Sequence, residues 1–133
     1  MFTKKSLHEW FEGTKSKFMD EEFYKIYIDY PRQDLIKRIA YRTDEMLKTG
    51  AILEVKRFIK LNVKKDNSVN KAIGIGEIKE FLRNKKKLSD ISEKISIKTR
   101  QYAKRQSTWA RGNMKSWLKL MPEDLNKFLK KIK

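Results

Sequence analysis

The chain has 133 residues, with 33 Lys and Arg against 17 Asp and Glu, a formal net charge of +16, and 38% charged residues beside 39% hydrophobic ones. That balance suits one soluble domain with a modest core. The lack of cysteine excludes disulfides and thiolate metal sites, no apolar run nears the ~20 residues of a membrane span, and the opening "MFTKKSLHEWFEG" lacks the apolar core of a signal peptide, so a cytoplasmic location away from membranes is expected.

In chain order, Ser6-Leu7-His8-Glu9 reads as a capping box opening a short helix, and 13–17 as a loop. "FYKIYIDY", Phe23 to Tyr30, is aromatic and β-branched and reads as a strand, with Tyr24, Ile26, Ile28 and Tyr30 on one face and Pro31 closing it. A helix over 32–49 follows, stopped by Gly50, then a second over 51–61. "NVKKDNSVN" is a polar loop, "GIG" opens a helix over 76–83, and "NKKK" is a charged turn. Ser89 or Asp90 caps a long helix over 89–109, broken by Gly112-Asn113. Pro122 sits in the first turn of a last helix over 122–132, with Leu125, Phe128, Leu129 and Ile132 as its apolar stripe. The strand has no partner in this reading. A lone strand leaves backbone N–H and C=O groups unpaired, so either a second strand is hidden in the sequence or another polypeptide supplies the sheet.

The charge is one-sided. Residues 1–66 are net +4 and residues 67–133 net +12, and between Glu93 and Glu123 there are eight bases and no acid. Such a field suits a polyanion: RNA, DNA or an acidic membrane surface. A chain rich in Lys, Ile and Asn also acquires a high pI from composition alone.

On the long helix, Leu88, Ile91, Ile95, Thr99, Tyr102, Gln106 and Trp109 share one face, Arg100, Lys104 and Arg111 lie opposite, and Lys94, Lys98 and Arg105 take a flank. Gln106 is out of place on that face. Buried without partners, its amide costs about 1–3 kcal/mol, so it is either satisfied inside or turned to a ligand. Arg38 and Arg42 stand one turn apart and could fork a phosphate. Ion pairs of Asp34 with Arg38 and of Arg42 with Glu45 account for the same spacing. Gly74-Ile75-Gly76 lacks the third glycine of a dinucleotide fingerprint, because Lys79 stands there. His8 is alone. No phosphate loop, metal-ligand spacing or Ser-His-Asp set is present, so no catalytic residue and no metal site is assigned.

"TRQYAKRQSTWAR", Thr99 to Arg111, resembles the C-terminal signature of the tRNA dimethylallyltransferase (isopentenyltransferase) family, T-R-x-x-A-K-R-Q-x-T-W followed by an aromatic and Arg, with Ala110 departing from it. "RIAYRTDEMLKTGAILEV" (Arg38 to Val55), "AIGIGEIKEFL" (Ala72 to Leu82, with Ile75 for a tyrosine) and "TKKSLHEW" resemble further family blocks in the same order. The resemblance implies the C-terminal portion of an enzyme that moves a dimethylallyl group from its diphosphate to N6 of adenine 37 in tRNA. The family's phosphate loop and aspartate general base are not in this sequence. It implies a mainly α fold, whose strand joins a P-loop-type parallel sheet supplied by the N-terminal part. It further implies that Arg42 is a diphosphate ligand, and that tRNA contacts come from Asp66, Asn67, Ser68, Val69, Asn70 and Lys71 and from Thr99, Arg100, Gln101, Tyr102, Ala103, Lys104, Arg105 and Gln106. The implied partners are the tRNA anticodon stem-loop, dimethylallyl diphosphate and a separate N-terminal P-loop chain. Mg2+ is expected for the complete enzyme, and no cofactor for this chain alone. A stand-alone basic RNA-binding module, or a remnant without activity, is the alternative. Tyr102 and Trp109 are expected to pack rather than to stack on bases.

Overall fold

A computed structural model describes residues 5–15, 17–84 and 87–132, of Asp20 the backbone alone. Thr3 and Lys4 of "TKKSLHEW", Ser16 of the first loop, and Lys85 and Lys86 of the "NKKK" turn lie outside the described residues. The elements are α1 (Leu7–Gly13), β1 (Ile26–Ile28), α2 (Arg32–Thr49), α3 (Ala51–Lys60), α4 (Ile75–Asn84), α5 (Leu88–Asn113), β2 (Leu118–Leu120) and α6 (Leu125–Lys131), with 3-10 turns at Asp20–Glu22, Ser68–Lys71 and Pro122–Asp124.

The helical reading of the middle of the chain holds. Gly50 ends α2 at φ 136°, a conformation costly for any side chain, and α3 starts at once. That tight joint folds α3 back, so that Leu47 of α2 and Val55 of α3 share one core with Ile78 of α4 and Ile91 and Ile95 of α5. Met46, Ile52, Ile75, Phe81 and Leu82 pack around them. Ile91 is 0% exposed, and a side chain so buried contributes about 1.5–3 kcal/mol. Gly74, at φ 104°, carries the chain into α4 beside the side-chain ends of Ile95 and Met46. The capping box at α1 forms as read: the Glu9 carboxylate accepts from the Ser6 N–H at 2.6 Å, and the Ser6 hydroxyl accepts from the Glu9 N–H.

Three expectations need correction. The strand is shorter than Phe23 to Tyr30, and it has a partner within this chain. β1 pairs in parallel with β2, Ile26 facing Leu118, Tyr27 facing Lys119 and Ile28 facing Leu120. The four helices between them form the long crossover that parallel pairing demands. Second, α5 starts one residue before the expected caps. Lys87 is its N-cap without a side-chain bond, and Asp90 lies inside the first turn, where its charge still suits the positive helix end. Third, α5 runs through Gly112 to Asn113. The Asn113 amide donates to the Trp109 carbonyl at 2.8 Å and the Met114 N–H to the Ala110 carbonyl at 2.7 Å, closing the extra turn. Pro122 opens a 3-10 turn that α6 continues.

Candidate nucleic-acid interface

The first half of α5 is anchored by α4. Glu77 is 5% exposed, and its carboxylate accepts from the Gly74 N–H at 2.9 Å and pairs with Lys98. Burial alone would push this carboxyl up, but the bond to Lys98 and the backbone bonds outweigh it and hold it below the ordinary range. Glu77 in turn raises Lys98 above the usual lysine value. One turn on, Glu80 binds Lys94 at 3.2 Å. Lys94 and Lys98, read as part of a basic flank, are therefore spent on structure.

Beyond Thr99 the burial changes side. Ile91, Ile95 and the half-buried Thr99 continue into Ala103, Ser107 and Ala110, small residues on the side of α5 that packs on α2. Tyr102 and Trp109, expected to pack, are instead 49% and 59% exposed. Ile91, Ile95, Thr99, Ala103 and Ser107 stand four apart, and each step of four turns about 40° further round the helix, so the buried line winds away from Tyr102 and Trp109 and small residues take over the contact. Gln106 drifts outward with the aromatics, so no amide is stranded in the core. Among the described residues no buried side-chain polar atom lacks a partner.

Two clefts flank this half-helix. Ala103 and Ser107 form the ridge that lines both, and Tyr27, Tyr30 and Leu35 close both from below. On one side Tyr102, Arg105, Gln106 and Trp109 line a cleft of about 550 Å³. There Arg105 lies 5.7 Å from the Tyr102 ring centre. On the other side Arg32, Arg100, Lys104, Arg111 and Lys119 line a cleft of about 700 Å³ with Gln101, and Asp29 is its one acidic lining residue. One face thus offers rings and an amide, the chemistry that bases take, and the other offers cations, the chemistry that phosphates take.

The segment Thr99 to Gln106 is thus shared out. Arg100, Gln101 and Lys104 line the basic cleft, and Tyr102, Arg105 and Gln106 the aromatic one. Ala103 is the ridge, and Thr99 bonds its hydroxyl to the Ile95 carbonyl at 2.8 Å. None of Asp66 to Lys71 lines either cleft. Their 3-10 turn packs on α4, with Asn67 capping it through the Val69 N–H. Asn70 is tied down by the Lys64 carbonyl at 2.8 Å and the Lys79 ammonium at 2.9 Å. Asp66, Asn67, Ser68, Val69 and Lys71 remain exposed. Arg42 is exposed on α2 and has no ion pair among the described residues. Arg38 instead lies over the Tyr30 ring and donates to its hydroxyl at 3.3 Å. Neither expected pair, Asp34 with Arg38 or Arg42 with Glu45, forms, since Glu45 goes to Lys48 at 3.6 Å. Arg32 and Lys119 escape sequence reasoning, the latter because β2 is not recognisable there.

The second half of α5 thus stands between one basic and one aromatic cleft. A family model described as IPP transferase matches residues 1–113. The chain belongs to that family. It is 51% identical over 132 residues to a tRNA dimethylallyltransferase of Pelagibacter ubique (strain HTCC1062), covering 99% of this chain and 42% of that protein. It is 33% identical over 122 residues to one of Agrobacterium fabrum (strain C58 / ATCC 33970), covering 90% of this chain and 41% of that one. The structure is similar to the crystal structure of the tRNA delta(2)-isopentenylpyrophosphate transferase of Staphylococcus epidermidis, with a TM-score of 0.70 and 28% identity over 82% of this chain and 37% of that one. It is equally similar to the full-length tRNA isopentenylpyrophosphate transferase of Bacillus halodurans, with a TM-score of 0.70 and 28% identity over 94% of this chain and 40% of that one. The chain thus spans about two fifths of the length of these IPP transferases and corresponds to their C-terminal portion.

Proposed function

We propose that these residues form the tRNA-binding C-terminal part of a tRNA dimethylallyltransferase, which transfers a dimethylallyl group from its diphosphate to N6 of adenine 37, in the cytoplasm. The observation that carries this reading is the second half of α5. It holds the segment that resembles the family signature, and it stands open between a basic and an aromatic cleft rather than buried. Arg100 and Lys104 hold phosphates of the anticodon stem-loop, and Gln106 meets RNA from the aromatic side. The exposed loop residues Asp66, Asn67, Ser68, Val69 and Lys71 touch the tRNA elsewhere, with Asn70 shaping their turn. Arg42, free of ion pairs among the described residues, neutralises the departing diphosphate. The phosphate loop, the general base and the Mg2+ site are assigned to the N-terminal portion of the family, which these residues do not span, and no residue here is given those tasks.

A stand-alone RNA-binding module is the second reading. The internal β1–β2 pair favours it, because β1 does not depend on an outside sheet for its pairing. Two assays separate the outcomes. Incubation with dimethylallyl diphosphate and a tRNA carrying adenines 36 and 37 is expected to leave adenine 37 unmodified, since the sequence holds no phosphate loop. Modification above background overturns the division of labour. Binding of an anticodon stem-loop RNA is expected, and its absence overturns both RNA readings.

A further inference from the structure

The family match ends at residue 113, but the basic cleft does not. Its far wall comes from β2 and the residue after it, through Lys119 and Met121. The match to the Pelagibacter ubique relative covers 99% of this chain, so it takes in β2 as well. Side chains alternate along a strand, so Lys119 faces away from Leu118 and Leu120. The parallel register sets Lys119 beside Tyr27, which lines the cleft from β1, and the Asp29 N–H donates to the Leu120 carbonyl at 2.9 Å, holding β2 in place.

The charges are uncompensated. Among the described residues, Arg32, Arg100, Lys104 and Lys119 form no ion pair. Arg111 is held by its own helix, donating to the Ser107 carbonyl at 3.3 Å and the Thr108 hydroxyl at 3.5 Å. Asp29 is the only carboxylate among the lining residues. Five exposed cations around a cleft of about 700 Å³, facing one carboxylate, make a positive field that suits a multiply charged anion.

We propose that Lys119 and Arg32 are further RNA-backbone ligands, so that the β2 segment beyond the family match extends the phosphate track of α5 across the cleft to the start of α2. This rests on the RNA-binding reading above. The cleft then clasps one strand of RNA between two walls, one from α5 and one from β2 and α2. Lys119 contributes through charge, not through base recognition, so its loss weakens binding evenly across RNA sequences.

The test uses the whole chain and an anticodon stem-loop RNA, with affinity measured over a range of salt concentrations. Lys119→Gln keeps the stem of the side chain and the backbone pairing of β2, and circular dichroism checks that the fold holds. It is expected to weaken binding and to make the slope of log K against log[salt] shallower by roughly 0.7–0.9, the yield of one phosphate contact. Arg32→Gln is expected to do the same, and Lys119→Arg to restore the original slope. Lys130→Gln on α6 makes the same charge change outside the cleft and is expected to leave the slope alone. If Lys119→Gln and Lys130→Gln behave alike while Arg100→Ala/Lys104→Ala flattens the slope, the inference fails and the RNA-binding reading stands. If Arg100→Ala/Lys104→Ala leaves the slope unchanged, the reading itself fails.

Discussion

The two halves of α5 are one continuous helix with opposite tasks. From Leu88 to Thr99 its inward residues are Ile91 and Ile95, wholly buried, and its flank bases Lys94 and Lys98 are bound to glutamates of α4. From Arg100 to Asn113 the inward residues are Ala103, Ser107 and Ala110. The large side chains are exposed, and Arg100 and Lys104 have no carboxylate partner among the described residues. Both halves carry bases, but the first sets Lys94 and Lys98 against Asp90 and Glu93 and is net neutral, whereas the second has Arg100, Lys104, Arg105 and Arg111 and no acid. The neighbouring helix widens that difference, because its glutamates meet the bases of the first half only. A lysine whose partner is a buried glutamate is part of the fold. An arginine lining an open cleft is available to a ligand.

The largest effect should come from the first half. Ile91→Ala is expected to cost about 3–4 kcal/mol, the loss of a buried aliphatic side chain plus the cavity left. Trp109→Ala, although it removes a larger ring, should cost less than about 1 kcal/mol, because that ring is more than half exposed. Denaturant melts of the two variants give the comparison directly, and equal losses would mean that the second half packs as firmly as the first.

The Glu77–Lys98 bridge sharpens the same contrast. Lys98→Ala leaves a carboxylate buried with the Gly74 N–H and local backbone as its support. It is expected to cost about 2 kcal/mol, below the usual figure for a broken buried pair because Lys98 is half in water. Glu77→Gln keeps an acceptor for Gly74 and releases a lysine that water can solvate, so it should cost about 1 kcal/mol. The pH dependence follows from the directions of the shifts. The Glu77 contribution is complete above the ordinary carboxylate value and is lost as pH falls through the lowered one. The Lys98 contribution is complete below the ordinary lysine value and is lost as pH rises through the raised one. Glu77→Gln should therefore flatten the acid limb of stability against pH, and an unaltered limb would deny the bridge its role.

Gln106 distinguishes the clefts at a smaller scale. Gln106→Leu should leave the melting temperature unchanged, since the residue is exposed, and lower RNA affinity by about 1 kcal/mol without altering the salt slope, because a neutral contact releases no counterions. Unchanged affinity would leave the aromatic cleft without a part in RNA binding.

Much of this is legible in the sequence, for identifiable reasons. The helices from Arg32 to Asn84 carry their own punctuation, Pro31, Gly50 and Gly74, and strong apolar spacing, so their ends can be read to within a residue or so. Leu118–Leu120 is not legible. Three residues reading Leu-Lys-Leu are too short to show a period, and pairing with β1 across four helices is a tertiary fact. The face of α5 reads correctly at Ile91, Ile95 and the half-buried Thr99, but wrongly at Leu88, which is 40% exposed, and again beyond Thr99. A wheel drawn on large apolar residues keeps Tyr102 and Trp109 inside, where the fold uses alanine and serine to let α5 approach α2. Glu77 looks like any surface glutamate until α4 places it against Lys98. The basic back of Arg100, Lys104 and Arg111 is visible from spacing. That Arg32 and Lys119 face it across a cleft is not.

The central claim is that the second half of α5 meets RNA through its basic flank. Arg100→Ala/Lys104→Ala, measured against the unaltered chain for binding to an anticodon stem-loop RNA across salt concentrations, tests it most directly. The account predicts a slope of log K against log[salt] shallower by roughly 1.5, the yield of two phosphate ligands, with the melting temperature unchanged. An unchanged slope in the folded variant would show that this flank faces only water and would contradict the account.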